Sequence, residues 1–318
     1  LNRSILAGSV SVALAASMFG TLGFVARSAD DVGVGALSFV AWRAALATLV
    51  LVSVTLLVAA RANGGLPDPR SLSRRQQLAL LAVCLCGALL NIAMFAAFLR
   101  TTIALVLITF YTFPAIVTLL AVRLYGERLD RVRVGALVLS SAGLVLVVLA
   151  PALQSGQMDI DLLGVGLALF AAVCQSAFIL LSGRGFRPFR SLHVATYVVG
   201  GALVLSVALI FVLGETPELL HPLQESRAWV WLVAGGVIGA AIPTTALLAG
   251  MGIIGPSRTA ILMTFEPVVG VALAAALLGE QPVPLQLVGG AAVLAAAVIL
   301  QAGPRTPVPA DAERPQLV

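Results

Sequence analysis

Ten apolar runs, each close to twenty residues long and parted by short polar breaks, constrain this chain more than any other feature of it. A hydrocarbon core about 30 Å thick is crossed by about 20 residues of α-helix, and lipid leaves few alternatives to helix because it cannot satisfy backbone groups. The runs lie near 5–26, 35–58, 76–98, 102–123, 132–150, 161–182, 191–213, 227–250, 257–278 and 283–302. Composition agrees: 60% of the 318 residues are hydrophobic and 10% charged, outside the range of soluble domains. The first run follows Arg3 as the apolar core of a secretory leader would, but it exceeds twenty residues and nine more follow, so it reads as a retained span.

Charge sets the expected orientation. All 19 basic residues are arginine, and with a cytoplasmic N-terminus fifteen of them fall on the cytoplasmic side. Arg27, Arg100 and Arg227 fall on the other, and Arg43 lies inside the second run. Such asymmetry in short loops predicts both termini in the cytoplasm. The net charge of +5 is therefore topological and does not point to nucleic acid. Cys84, Cys86 and Cys174 sit within apolar runs, and residues two apart on a helix cannot meet, so no disulfide framework, metal site or cofactor is expected. Residues 303–318 are polar and Pro-rich, which predicts a disordered cytoplasmic tail.

The chain repeats itself. "TFPAIVTLLAVRLYGE" from Thr112 aligns with "FEPVVGVALAAALLGE" from Phe265 at a shift of 153 residues, matching Pro114 to Pro267, Gly126 to Gly279 and Glu127 to Glu280. Leu and Ala coincide by chance in any two apolar helices; a proline and a Gly-Glu pair at one spacing carry more weight. The division predicts a first five-helix repeat over 1–150 and a second over 151–302. Five is odd, so the copies enter the membrane from opposite sides. The expected fold class is an all-α membrane protein whose ten transmembrane helices form two inverted five-helix repeats, an arrangement secondary transporters use to build two conformations around a central site.

With a proline inside a span, "LLGE" closing it and "VG" opening the next, once in each half, the chain resembles the EamA family of the drug/metabolite transporter superfamily. The resemblance covers about 5–302; the second copy carries the pattern more fully, since Phe113 stands where Glu266 precedes Pro267. It implies a ten-helix transporter, an exporter of small metabolites with amino acids frequent among bacterial cargoes, in the bacterial inner membrane.

Glu266 is the residue hardest to place in lipid. It lies roughly 21 Å along a helix from Glu280, near the midplane if Glu280 closes the span, and an ionised acid there costs at least about 2.5 kcal/mol. It therefore lines a wet cavity, pairs with a cation or stays protonated; it could take a substrate ammonium, carry a proton, or simply hold a broken backbone. Pro114 frees the carbonyl of Phe110 and Pro267 that of Met263, which marks both as hinges, and Pro243 is a third candidate break. Arg43 could hold a substrate carboxylate, snorkel outwards or pair with Glu266. Ser17 and Thr21 fall on one helical stripe with Phe24, and Asn91 on another with Phe95; Thr109, Tyr111 and Thr112 precede Pro114, and Gln175 and Phe178 share a face of the sixth run. These residues suit an amphipathic wall, although packing and cross-helix hydrogen bonding would use them equally well. Glu127 and Glu280 read as helix ends, Trp229 and Trp231 as interfacial aromatics, and the glycines at 235, 236, 239, 289 and 290 as points of close helix approach.

A membrane-embedded enzyme would need a catalytic set, and no His-Glu zinc pattern, paired acids on one intramembrane helix or activated nucleophile is present in the sequence. Strongly anionic cargo such as a nucleotide sugar would call for several cations, whereas Arg43 is the one clearly intramembrane. The expected function is amino-acid export by alternating access, apolar or aromatic amino acids favoured, with a zwitterionic substrate, possible proton coupling, the lipid bilayer as partner and no nucleic acid.

Overall fold

The computed structural model of the chain describes residues 3–61, 68–98, 100–101, 103–126, 130–155, 161–183, 186, 189–214, 216–278 and 282–302. The Gly-Glu helix ends at Glu127 and Glu280, the side chain of Phe95 and the 303–318 tail lie outside the described residues. What is described is helical: α1 (Arg3–Gly20), α2 (Leu22–Asp30), α3 (Ala36–Arg61), α4 (Arg74–Phe98), α5 (Ile103–Phe110), α6 (Phe113–Tyr125), α7 (Arg131–Ser155), α8 (Leu162–Gly183), α9 (Ser191–Leu213), α10 (Thr216–Leu220), α11 (Ala228–Gly236), α12 (Ile242–Ile254), α13 (Pro256–Met263), α14 (Phe265–Leu278) and α15 (Pro284–Ala302). Among the described residues nine helical stretches are long and apolar enough to cross a membrane; Pro284–Leu300 is apolar but shorter. Large apolar side chains such as Leu162, Val212 and Val298 remain exposed along these helices, as they must where lipid is the solvent.

Several runs that are continuous in the sequence are interrupted in space. The fourth run is two helices, α5 and α6, turning at Tyr111 and Thr112, and the ninth is α13 and α14, turning at Thr264. Each turn is closed by a threonine side chain: the Thr112 hydroxyl donates to the carbonyl of Thr109 and that of Thr264 to the carbonyl of Ile261, both at 2.7 Å. Pro114 and Pro267 then stand in the first turn of α6 and of α14, where a missing N–H removes no intrahelical bond. At Pro243 the helix does not part. It widens into a π turn over Val237–Ala241 and continues as α12, which moves the preceding carbonyls away from the proline ring. The first run carries a break that no proline announces, at Thr21, whose hydroxyl donates to the carbonyl of Met18.

The helices pair across the two halves. α4 lies along α8 and α1 along α12; α3 packs on α9, α7 on α15, and α6 meets α13. Under the 153-residue shift α1 corresponds to α8, α3 to α9, α4 to α11 and α12, α5 and α6 to α13 and α14, and α7 to α15. Exchanging the halves therefore turns the α4–α8 pair into the α12–α1 pair and returns α3–α9 and α7–α15 to themselves, the self-complementary pattern of a two-fold relation. The α7–α15 crossing is close because both partners are glycine there: a Cβ on Gly143 would stand 2.6 Å from the carbonyl oxygen of Gly289. Connections between the helices also meet. Arg100 pairs with Asp161 at 3.7 Å, and at one end Trp42 donates from Nε1 to the carbonyl of Leu219 at 2.8 Å while its ring meets that of Trp229.

Candidate functional site

The two interruptions bring Tyr111 and Glu266 together. Glu266 is the second residue of α14, where unpaired backbone N–H groups and the helix dipole favour a carboxylate. Tyr111 sits in the turn between α5 and α6, buried against Phe110 and Phe113 with ring centroids 5.1 and 5.7 Å away, and its hydroxyl lies near enough to the Glu266 carboxylate to interact with it. Arg43 of α3 stands close enough to attract the same carboxylate. Its Nη2 donates to Oδ1 of Asn91 at 3.1 Å, and Asn91 in turn donates from Nδ2 to the carbonyl of Gly87, one turn earlier in α4, at 2.7 Å. One polar chain thus runs from α4 through α3 to α14 and the α5–α6 turn, drawing on both halves of the molecule.

Two features show how this chain is held. The α11 glycines face α3: a Cβ on Gly235 would lie 3.6 Å from Cγ of Arg43, and one on Gly236 would lie 3.2 Å from its carbonyl oxygen. The guanidinium also keeps a free donor, because Arg43 Nε is buried without a hydrogen-bond partner among the described residues. Leaving such a group unmatched costs about 1–3 kcal/mol, and more when it is charged, so an arriving anionic oxygen has something to gain there.

The other residues singled out in the sequence divide. Ser17 donates to the carbonyl of Ala13 and Thr21 to that of Met18, so both hydroxyls serve their own helix; Phe24, expected on the same wall, stands edge-on to Trp231 at 5.6 Å. Thr112 is exposed and bonded to Thr109, which supplies only its carbonyl. Phe178 lies in the main core, 3.7 Å from where a Cβ on Gly87 would be. Gln175 is 7% exposed and has no hydrogen-bond partner among the described residues, beside Ser176, whose hydroxyl bonds the carbonyl of Ala172. Residue pattern alone did not reveal Tyr111 as a partner of Glu266. The available signal was its place three residues before Pro114, matching Thr264 before Pro267.

The three cysteines are free, and Cys86 of α4 and Cys174 of α8 lie close enough to interact across the α4–α8 pair. No group of three or more metal-ligating side chains occurs among the described residues.

Comparison with known proteins gives the same architecture. The EamA-like transporter family profile matches the chain twice, over residues 6–149 and 162–301. An uncharacterized transporter of Synechocystis sp. is 23% identical over 196 residues, which is 61% of this chain and 56% of that protein. The match therefore spans little more than half of its length. A solved crystal structure superposes with a TM-score of 0.70 at 19% identity, over 94% of this chain and 98% of the other, a likeness of fold.

Proposed function

Because the chain belongs to the EamA-like transporter family, a family of carriers rather than enzymes within the drug/metabolite transporter superfamily, we propose that it exports amino acids, with apolar or aromatic ones favoured. The observation that carries this reading is the facing of Glu266 and Arg43 in one polar chain. An acid beside Tyr111 and a cation hydrogen-bonded to Asn91 match the two charges of a zwitterion. The ammonium takes Glu266 and the carboxylate takes Arg43 through its unpaired Nε, so one internal attraction gives way to two with no change in net charge. That balance matters where an uncompensated charge is most expensive. Gln175 and Phe178, both buried on α8, are the further candidates for contact with the substrate.

Transport then follows from ten spans in two inverted repeats, 1–150 and 151–302, that rock about the interruptions at Pro114 and Pro267 and the π turn before Pro243. The pairing of helices that survives exchange of the halves supports this arrangement. Both termini face the cytoplasm of a bacterial inner membrane, in keeping with the arginine distribution. The test is counterflow in proteoliposomes with labelled amino acids. The native chain exchanges at least one apolar or aromatic amino acid, and Glu266→Gln lowers that flux at least tenfold; full flux in the variant, across a pH series, removes Glu266 from the mechanism.

A further inference from the structure

The α1–α2 break has no proline to cause it, and it falls against the site. Gly20, the last residue of α1, packs on the first turn of α14: a Cβ at Gly20 would stand 2.6 Å from the Glu266 carbonyl oxygen and 3.0 Å from Cβ of Val269, and one at Gly270 would stand 3.5 Å from the Gly20 carbonyl oxygen. Beyond the break, α2 lies between α14 and α11. Leu22 presses on Gly239 of the π turn, Phe24 meets Trp231 edge-on at 5.6 Å, and Val25 and Ala29 join Val34, Phe39, Ala228 and Leu232 in a small separate core beside Trp42. That cluster lies at the end of the bundle where Trp42, Trp229 and Trp231 gather. The corresponding run in the second half, α8, is one unbroken helix over Leu162–Gly183. The interruption is therefore particular to the first half and is not a product of the repeat.

We infer that Gly20 is a positioning residue: it seats the backbone of Glu266 and, through the Thr21 break, ties that residue to α2, which is the gate at the tryptophan end. The inference rests on the transport reading and adds the part that moves. Only glycine allows α1 to lie on a backbone carbonyl at this distance, so a shift of the α14 N-terminus on ligand binding is passed to the hinge without slack. Thr21 holds the carbonyl of Met18 and lets the chain turn there without losing its partner.

The experiment starts from full-length protein with Cys84, Cys86 and Cys174 replaced by serine and with Phe24→Cys and Trp231→Cys added. Closure by copper phenanthroline is scored by peptide mass, and counterflow of the amino acid that the parent transports best is measured before and after. Cross-linking is expected to lower flux at least tenfold, with recovery in dithiothreitol. The same amino acid should change the cross-linking rate at least threefold when residue 20 is glycine and leave it unchanged in Gly20→Ala, which should also raise the half-saturating concentration several-fold. Thr21→Val, which adds no bulk, provides a second hinge variant in case Gly20→Ala does not fold, and it should lessen the same substrate effect. Undiminished flux in the cross-linked protein overturns α2 as the gate, and an equal substrate effect in the glycine and hinge-variant proteins overturns the coupling. Absence of counterflow in the parent, by contrast, removes the transport reading itself.

Discussion

Asn91 illustrates how little of a residue's role its type announces. An amide in a membrane helix needs partners, and here both its ends are engaged, one by Gly87 and one by Arg43. Asn91→Leu should therefore destabilise the protein by about 1–3 kcal/mol in thermal unfolding, since it leaves a buried guanidinium donor without an acceptor. Flux should fall at least tenfold in the same variant because Arg43 is no longer aimed. Asp161 lies outside the spans and offers a pH dependence. Its carboxylate accepts from the backbone N–H of Gly164, and from that of Leu163, at the start of α8, with Arg100 nearby, and these hold its pKa below the ordinary value. A depressed pKa contributes stability that is present above the unfolded value, about 3.9, and is lost as pH falls through the folded one. Asp161→Asn should melt below the native protein at pH 7, with the gap closing in acid; a gap that stayed constant with pH would contradict this account.

At the level of elements, the matched prolines were visible in the sequence but their mechanical part was not. Interior prolines imply freed carbonyls at Phe110 and Met263; instead the helices stop short, and Pro114 and Pro267 begin new ones in positions that suit them. Threonine side chains, not prolines alone, close both turns. Pro114→Ala and Pro267→Ala should thus change melting by less than about 1 kcal/mol, the scale of a first-turn substitution. Counterflow should nevertheless slow, because alanine lets helix propagate through Tyr111 and Glu266 and pulls their side chains apart. The break at Thr21 left no trace in hydropathy, since glycine and threonine are ordinary in a span, and the close approach beside it is to a residue far off in the chain: Gly20 packs on the backbone of Glu266, 246 positions away.

For the whole molecule, the proposed inverted arrangement predicts that Ser226 and Arg70 lie on opposite sides of the bilayer. In single-cysteine versions of a cysteine-free chain, a membrane-impermeant thiol reagent should label Ser226→Cys from one side and Arg70→Cys only from the other; labelling of both from the same side would dismantle the two inverted repeats. The pairing of Arg100 with Asp161, and of Trp42 with Leu219, already gathers the connections between spans at common ends.

Helix content and the sites of the two main interruptions follow from the sequence, because apolar length, proline and repeat spacing act locally and leave their mark on the order of residues. Which acid meets which cation does not: Arg43, Asn91, Tyr111 and Glu266 are scattered over 224 positions and come together only when the halves pack. The tertiary structure decided that contact, and the seating of Gly20 on Glu266 with it, since hydrogen bonds and close backbone approach depend on helix crossings that no local pattern encodes.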